Sequence, residues 1–200
     1  MTKIMLATQN LGKVGELKRL LEEIPVEVLS LADFPELPEV VEDGSSFAEN
    51  AIKKAQQISE ATGLLTLADD SGLEVDFLGG TPGVHSARFA GPQKSDADNN
   101  NKLLDLLSEV PREKRTARFR CVIALAAPGG KPVTTDGTCE GIIGFEPKGA
   151  GGFGYDPLFY VPEFDQTFAE LSLDIKNKIS HRGKALIKAR DILKEILGKY

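Results

Sequence analysis

Leu64-Leu65-Thr66-Leu67-Ala68-Asp69-Asp70-Ser71-Gly72 is the stretch whose reading decides the fold. Leu64 to Ala68 is an apolar run that reads as a buried strand. The strand is expected to stop at Ala68 and to deliver Asp69 and Asp70 at its carboxyl end. In open α/β sheets ligands gather at that end. Two adjacent carboxylates are costly to bury unless a cation or a proton intervenes, and a hard, oxygen-seeking ion such as Mg²⁺ suits them. A solvated acidic turn is the alternative that these residues leave open on their own.

Working outward, Ile4 to Ala7 is a second short apolar run, closed by Thr8-Gln9-Asn10. Gly12 to Leu21 carries Val14, Leu17, Leu20 and Leu21 at helical spacing, and Val26 to Leu31 reads as another strand. Asp33 to Gly44, with Pro35 and Pro38, is a polar connection. Ser46-Phe47-Ala48-Glu49 has the form of a capping box, and Phe47, Ala51, Ala55 and Ile58 continue it as an apolar stripe ending near Gly63. Asp98 to Leu107 predicts a helix. Thr116 to Ala127 and Val133 to Ile143, divided by Pro128-Gly129-Gly130, predict a long hairpin. Ala185, Leu186, Ala189, Ile192, Leu193, Ile196 and Leu197 predict a terminal amphipathic helix capped by Ser180. The order is that of an α/β chain, with no repeat or linker to divide it.

A chain of 200 residues and net charge -6 lacks the basic face of a duplex-DNA binder, though not the few cations a nucleotide site needs. Cys121 and Cys139 have no paired spacing and read as buried thiols of a reducing compartment. The start is too soon polar for a signal peptide, and no apolar run approaches a membrane span. The expected protein is soluble and cytoplasmic, with no membrane and no nucleic-acid polymer as partner.

Besides the acids Glu42, Asp43, Glu49, Asp69 and Asp70, three clusters can carry chemistry. Thr8 to Lys13 lies between strand and helix, where free N–H groups and the helix dipole suit phosphate; a plain turn with a surface lysine is the other reading. Gly149 to Gly154 matches G-x-G-x-x-G, but Tyr155-Asp156-Pro157 leads into another apolar run instead of a helix, so no dinucleotide fold follows. Phe153 and Asp156 could stack on a base and bond its edge, or the loop could be only a glycine-rich turn. Lys176 and Ser180-His181-Arg182-Gly183 place cations at the expected start of the last helix, against its dipole. An anionic or acceptor-rich ligand would explain them; an exposed terminus with an incidental histidine would too. Arg112, Lys114 and Arg115 read as a solvated loop. Ser71 has no G-x-S-x-G elbow, and the two histidines and two cysteines have no zinc spacing.

Six segments taken in order are similar to the inosine triphosphate pyrophosphatase family. They are Thr8-x-Asn10-x-x-Lys13-x-x-Glu16, Ser46-Phe47-x-Glu49-Asn50-Ala51-x-x-Lys54-Ala55, Ala68-Asp69-Asp70-Ser71-Gly72-Leu73, Pro82-Gly83-Val84-x-Ser86-Ala87-Arg88, Gly152-Phe153-Gly154-Tyr155-Asp156-Pro157 and Ser180-His181-Arg182-Gly183.

The resemblance implies one pyrophosphatase domain over residues 1–200, with two lobes, a cleft between them and a long central mixed sheet flanked by helices. It implies a homodimer that uses Mg²⁺ to hydrolyse ITP, dITP and XTP to the monophosphate and pyrophosphate, clearing them from the nucleotide pool. Asp70 would be the proton acceptor and, with Glu42, a metal ligand. Thr8, Gln9, Asn10, Leu11, Gly12 and Lys13 would hold the triphosphate, with Ser71 beside it. Phe153, Gly154, Tyr155, Asp156, Lys176, His181 and Arg182 would hold the nucleotide, chiefly its base. Two alternatives stay open beside the resemblance: a related pyrophosphatase preferring modified or pyrimidine nucleotides, and a nucleotide-binding protein without turnover.

Overall fold

The computed structural model describes residues 2–22, 24–37 and 39–198. Pro38 and the side chains of Leu11, Glu16, Leu17 and Leu20 lie outside the described residues, and with them the apolar reading of Leu17 and Leu20.

One mixed sheet organises the chain. β1 (Thr2–Leu6) runs parallel to β2 (Val26–Ser30), with Ile4 opposite Val28, and parallel to β3 (Leu65–Val75), with Ile4 opposite Leu65. β4 (Thr116–Ala126) and β5 (Val133–Ile143) form the expected hairpin. β6 (Phe159–Val161) and β7 (Gln166–Thr167) complete the order β2-β1-β3-β4-β5-β6-β7, with β5, β6 and β7 antiparallel. Parallel strands buried on both faces need near-continuous apolar runs, which is why Ile4, Met5 and Leu6 are all fully buried.

The helices begin where the sequence offers caps. Asn10 caps α1 (Leu11–Leu21) by accepting from the Lys13 N–H at 3.1 Å. Ser46 caps α2 (Phe47–Thr62) by accepting from the Glu49 N–H at 3.2 Å, while the Glu49 carboxylate takes the N–H and hydroxyl of Ser45. Gly63, with φ of 68°, ends α2 in the left-handed conformation that glycine tolerates. α3 (Asp96–Leu106) starts two residues earlier than its apolar pattern suggests, because Ser95 caps it.

The chain divides into two units. Unit one holds residues up to Asp70, then Cys121–Gly137 and everything from Arg182 onward. Its core packs Ile4, Leu6, Leu67, Ile123 and Leu125 with Ala185, Leu186, Ala189 and Leu193 of α5 (His181–Leu197). Unit two holds Ser71–Arg120 and Thr138–His181, with Leu73, Val75, Leu103, Leu107, Phe119, Phe159 and Phe168 in its core.

Three expectations change. β3 does not stop at Ala68 but continues through the aspartates to Val75, since Leu73 and Val75 have a core of their own to enter. Ser180 follows a further helix, α4 (Leu173–Ile179), so Lys176 stands in the last turn of α4 and not at the start of the terminal helix. Arg115 is not solvated: it is 1% exposed, and its guanidinium donates to the carbonyls of Leu107, Ile143 and Gly144 at 2.8–2.9 Å and of Val110 at 3.4 Å. A buried cation needs its donors satisfied, and a planar five-donor fork can do that with carbonyls alone.

Candidate active site

Within unit one, β3 carries Asp69 and Asp70 side by side. Successive side chains of a strand point to opposite faces, so the two carboxylates have different nearest partners, although Lys54 acts on both.

Asp69 is 3% exposed. Its Oδ2 lies 2.8 Å from Lys13 Nζ, in the first turn of α1, and 3.5 Å from Arg182 Nε, in the first turn of α5. Burial works to raise its carboxyl, but Lys13, Arg182 and Lys54 outweigh it and hold the group far below the usual carboxylate range. Asp69 is therefore an anion at neutral pH.

Asp70 faces α2. Asn50 Nδ2 donates to its Oδ2 at 3.0 Å, and Lys54 Nζ stands 3.8 Å from its Oδ1. Burial pushes the Asp70 carboxyl up to about 6; Lys54 pulls it down, and the neighbouring Glu42 pushes it up again. Paired acids whose surroundings drive their pKa values apart are a recurrent arrangement for proton transfer. Here Asp70 is the member that can take and release a proton near neutrality.

Lys54 ties the cluster together. Its Nζ donates to Glu42 Oε1 at 2.5 Å and to the Asp69 carbonyl at 2.7 Å. Burial opposes its charge, but Asp69, Asp70 and Glu42 together raise its pKa. Asn50 and Lys54 are four residues apart and so share one face of α2. Asn50 is further fixed by accepting from the Gly44 N–H at 2.8 Å. Neither residue stands among the expected site residues, although i, i+4 polar positions beside the Ala51–Ala55 stripe are a signal for them.

The turn after β1 leads into the start of α1, where backbone N–H groups could meet an anion. Thr8 Oγ1 accepts from the Asn10 N–H at 3.2 Å, and Asn10 Oδ1 is committed to its cap. The donor ends that can meet phosphate are thus the Thr8 hydroxyl and Asn10 Nδ2, together with the start of α1 at Leu11 and Gly12. Gln9 is exposed, and Lys13 reaches Asp69. Ser71 follows Asp70 in β3, half-buried.

Within unit two the glycine loop opens no helix, so the dinucleotide fingerprint is absent as expected. Asp156 is 3% exposed and turned inward: its Oδ2 accepts from the Phe153 N–H at 2.8 Å and from Lys176 Nζ at 2.6 Å. A Cβ on Gly152 would run into that oxygen, which explains the glycine. Asp156 thus shapes the loop. Lys176, in the last turn of α4, agrees with the helix dipole and lies 5.2 Å from the centroid of the Phe153 ring. Phe153 is an exposed large apolar residue, whereas Tyr155 is buried and donates its hydroxyl to the Ser86 carbonyl at 2.8 Å. The His181 ring stacks on Phe119 at 4.7 Å and lies parallel to Phe168 at 6.4 Å.

Of the expected residues, Lys13, Glu42, Asp70 and Arg182 come together in unit one around Asp69 and Lys54. Phe153, Asp156 and Lys176 come together in unit two, and His181 stacks in its aromatic cluster. The motif Pro82 to Arg88, for which spacing gives no role, is a 3₁₀ segment in which Ser86 Oγ accepts from the Leu73 N–H and donates to the Gly83 carbonyl.

The model of the Ham1 family matches residues 4–192. The chain is 62% identical over 194 residues to a dITP/XTP pyrophosphatase of Desulforamulus reducens, covering 97% of this chain and 96% of that one. It is 55% identical over 193 residues to a dITP/XTP pyrophosphatase of Geobacter sulfurreducens, covering 96% and 97%. A solved HAM1 protein from Coxiella burnetii superposes with a TM-score of 0.90 at 44% identity, covering 98% of this chain and all of that one.

Proposed function

The chain belongs to the Ham1 family, and on that premise we propose that it hydrolyses non-standard purine nucleoside triphosphates (dITP, XTP and ITP) to the monophosphate and pyrophosphate. The observation that carries the reading is the divided pair in β3: Asp69 locked as an anion by Lys13 and Arg182, and Asp70 held with a carboxyl near 6. Breaking a phosphoanhydride requires offset phosphate charge and an oriented water. The start of α1 and Lys13 offer the first. The Asp70 carboxylate, oriented by Asn50, accepts a proton from the attacking water.

Glu42 and Asp70 fit a Mg²⁺ ion. Both are hard carboxylate donors gathered on one ammonium, Lys54, and Mg²⁺ is commonly held by one or two carboxylates with the remaining positions left to water and substrate phosphates. Among the described residues no group of three or more Asp, Glu, His or Cys side chains is gathered as a metal site. Bound there, the ion supplies Lewis-acid neutralisation of phosphate charge.

Base recognition falls to unit two, where Phe153 offers an aromatic face and His181 a ring nitrogen suited to a 6-oxo acceptor. In the same reading the chain works as a homodimer in the cytoplasm. Light scattering tests the dimer.

The experiment for the activity is pyrophosphate release from dITP, XTP, ITP, ATP, GTP, UTP and TTP, with Mg²⁺ and with a chelator. Fast release from the first three, lost on chelation, is expected. Preference for UTP or TTP would shift the reading to a pyrimidine-directed enzyme, and binding without release would make it a non-catalytic nucleotide binder.

A further inference from the structure

α3 begins with Asp96, and Ser95 already caps the helix through the Asp98 N–H at 3.2 Å. The Asp96 carboxylate is therefore not needed as a cap and reaches outside the helix. Its Oδ2 accepts from the Gly154 N–H at 2.7 Å. Four residues on, and so on the same helix face, Asn100 Nδ2 donates to the Gly154 carbonyl at 2.9 Å. One helix face thus grips both polar groups of a single glycine in the loop that carries Phe153.

Two further observations bear on why those residues are polar. Asn100 Oδ1 is buried and, among the described residues, has no hydrogen-bond partner. A buried acceptor left unpaired is costly, and what offsets that cost here is the bond its other end makes to Gly154. Gly154 itself has φ of 62°, a left-handed conformation that glycine adopts readily and a residue with a side chain does not. On the other side of Phe153, its own N–H is taken by Asp156. The backbone is fixed before and after the ring while the ring stays exposed. Asn99, the next residue along α3, holds a different segment, accepting from the Ala90 N–H at 2.7 Å and donating to the Ala87 carbonyl at 3.2 Å.

We propose that Asp96 and Asn100 are positioning residues for base recognition: by holding the Gly154 peptide they set the Phe153 ring in the attitude in which a purine stacks on it. The inference rests on the functional reading above and adds to it two residues that touch no substrate.

The test compares Asp96→Ala, Asp96→Asn and Asn100→Ala with the unaltered chain. It measures kcat and KM for dITP, inhibition by IMP and by pyrophosphate, and the thermal midpoint. Asp96→Ala and Asn100→Ala are expected to raise KM for dITP and Ki for IMP about tenfold, the scale of one lost hydrogen bond to a fixed partner. The Ki of pyrophosphate, which has no base, stays unchanged, and kcat changes little. Asp96→Asn keeps an acceptor oxygen and is expected to recover most of the loss. An unchanged KM and IMP Ki in Asp96→Ala, beside normal turnover by the unaltered chain, overturns the inference alone. A common loss of kcat, IMP binding, pyrophosphate binding and thermal midpoint, without rescue by Asp96→Asn, also overturns it, since that is the pattern of a merely structural role. Absence of pyrophosphate release from dITP by the unaltered chain would defeat the functional reading and this inference with it.

Discussion

Lys13 Nζ stands 2.8 Å from Oδ2 of Asp69 and binds that acid, leaving its neighbour Asp70 to α2. Lys13, which the resemblance assigns to the triphosphate, is thus also the partner of a buried carboxylate. Lys13→Met should destabilise the protein by about 3 kcal/mol, the low end for breaking a buried ion pair, because Arg182 and Lys54 remain near Asp69. The carboxyl of Asp69 is held below its ordinary 3.8. A depressed acid contributes stability above its unfolded value and loses it as pH falls through the folded one. The deficit of Lys13→Met should therefore be full at pH 7 and shrink below pH 4. Urea unfolding at several pH values checks this; a deficit that stays constant into acid would remove Asp69 from the account.

The β4–β5 hairpin, α1 and α2 are legible in the sequence because their signals are local: two strand-like runs divided by Pro128-Gly129-Gly130, and serine or asparagine before apolar positions at helical spacing. The end of β3 is not, because an acid pair resembles a turn until the cations are known, and those come from residues 13, 54 and 182. α4 is seven residues, too short to display a stripe, and without it Lys176 reads as part of the terminal helix. Arg115 reads as solvated because its four carbonyl partners are spread over residues 107 to 144. Local chemistry is written locally; ion-pair partners are written by the fold.

Asp70→Asn should produce a less active and more stable protein. Loss of a general base lowers kcat by at least ~10²-fold, with nucleotide binding largely kept. The stability effect runs opposite to that of Asp69. The folded carboxyl of Asp70 sits at about 6, above the ordinary 3.8, so between those values the folded state holds the proton more tightly. Stability therefore falls as pH rises from about 4 to 6, and an ionised Asp70 is a standing cost at neutrality of up to about 3 kcal/mol. Without metal, Asp70→Asn should melt above the parent at pH 7.5, and the difference should vanish near pH 4. A variant with normal turnover would move the base elsewhere; one that melts below the parent at pH 7.5 would show that Asp70 is not strained.

Arg115→Lys should lose stability and spare chemistry. An ammonium is a point donor that cannot span four carbonyls, and leaving two of them unpaired costs about 2–6 kcal/mol in total. The urea midpoint should fall at pH 7, while kcat per folded molecule stays at the parent value. An unmoved midpoint would mean that water replaces the guanidinium without cost.

His181 and Arg182 are adjacent in α5, and the resemblance assigns both to the nucleotide. The fold separates their surroundings. His181 stacks on Phe119 in unit two, while Arg182 Nε lies 3.5 Å from Asp69 Oδ2 in unit one. If a histidine nitrogen donates to the 6-oxo group of hypoxanthine, that donor faces the amino group of adenine unpaired. The penalty is about 1–3 kcal/mol, or roughly 5- to 150-fold in discrimination. His181→Ala should then lower kcat/KM for ITP far more than for ATP and narrow their ratio. Arg182→Ala should lower both values by a similar factor, because what it removes is a counter-charge of Asp69 on the side of the phosphates. Steady-state kinetics of both variants on both nucleotides decide the matter. A ratio that collapses in Arg182→Ala and survives in His181→Ala would reverse the assignment, making the guanidinium the reader of the base and the imidazole a packing residue of the aromatic cluster.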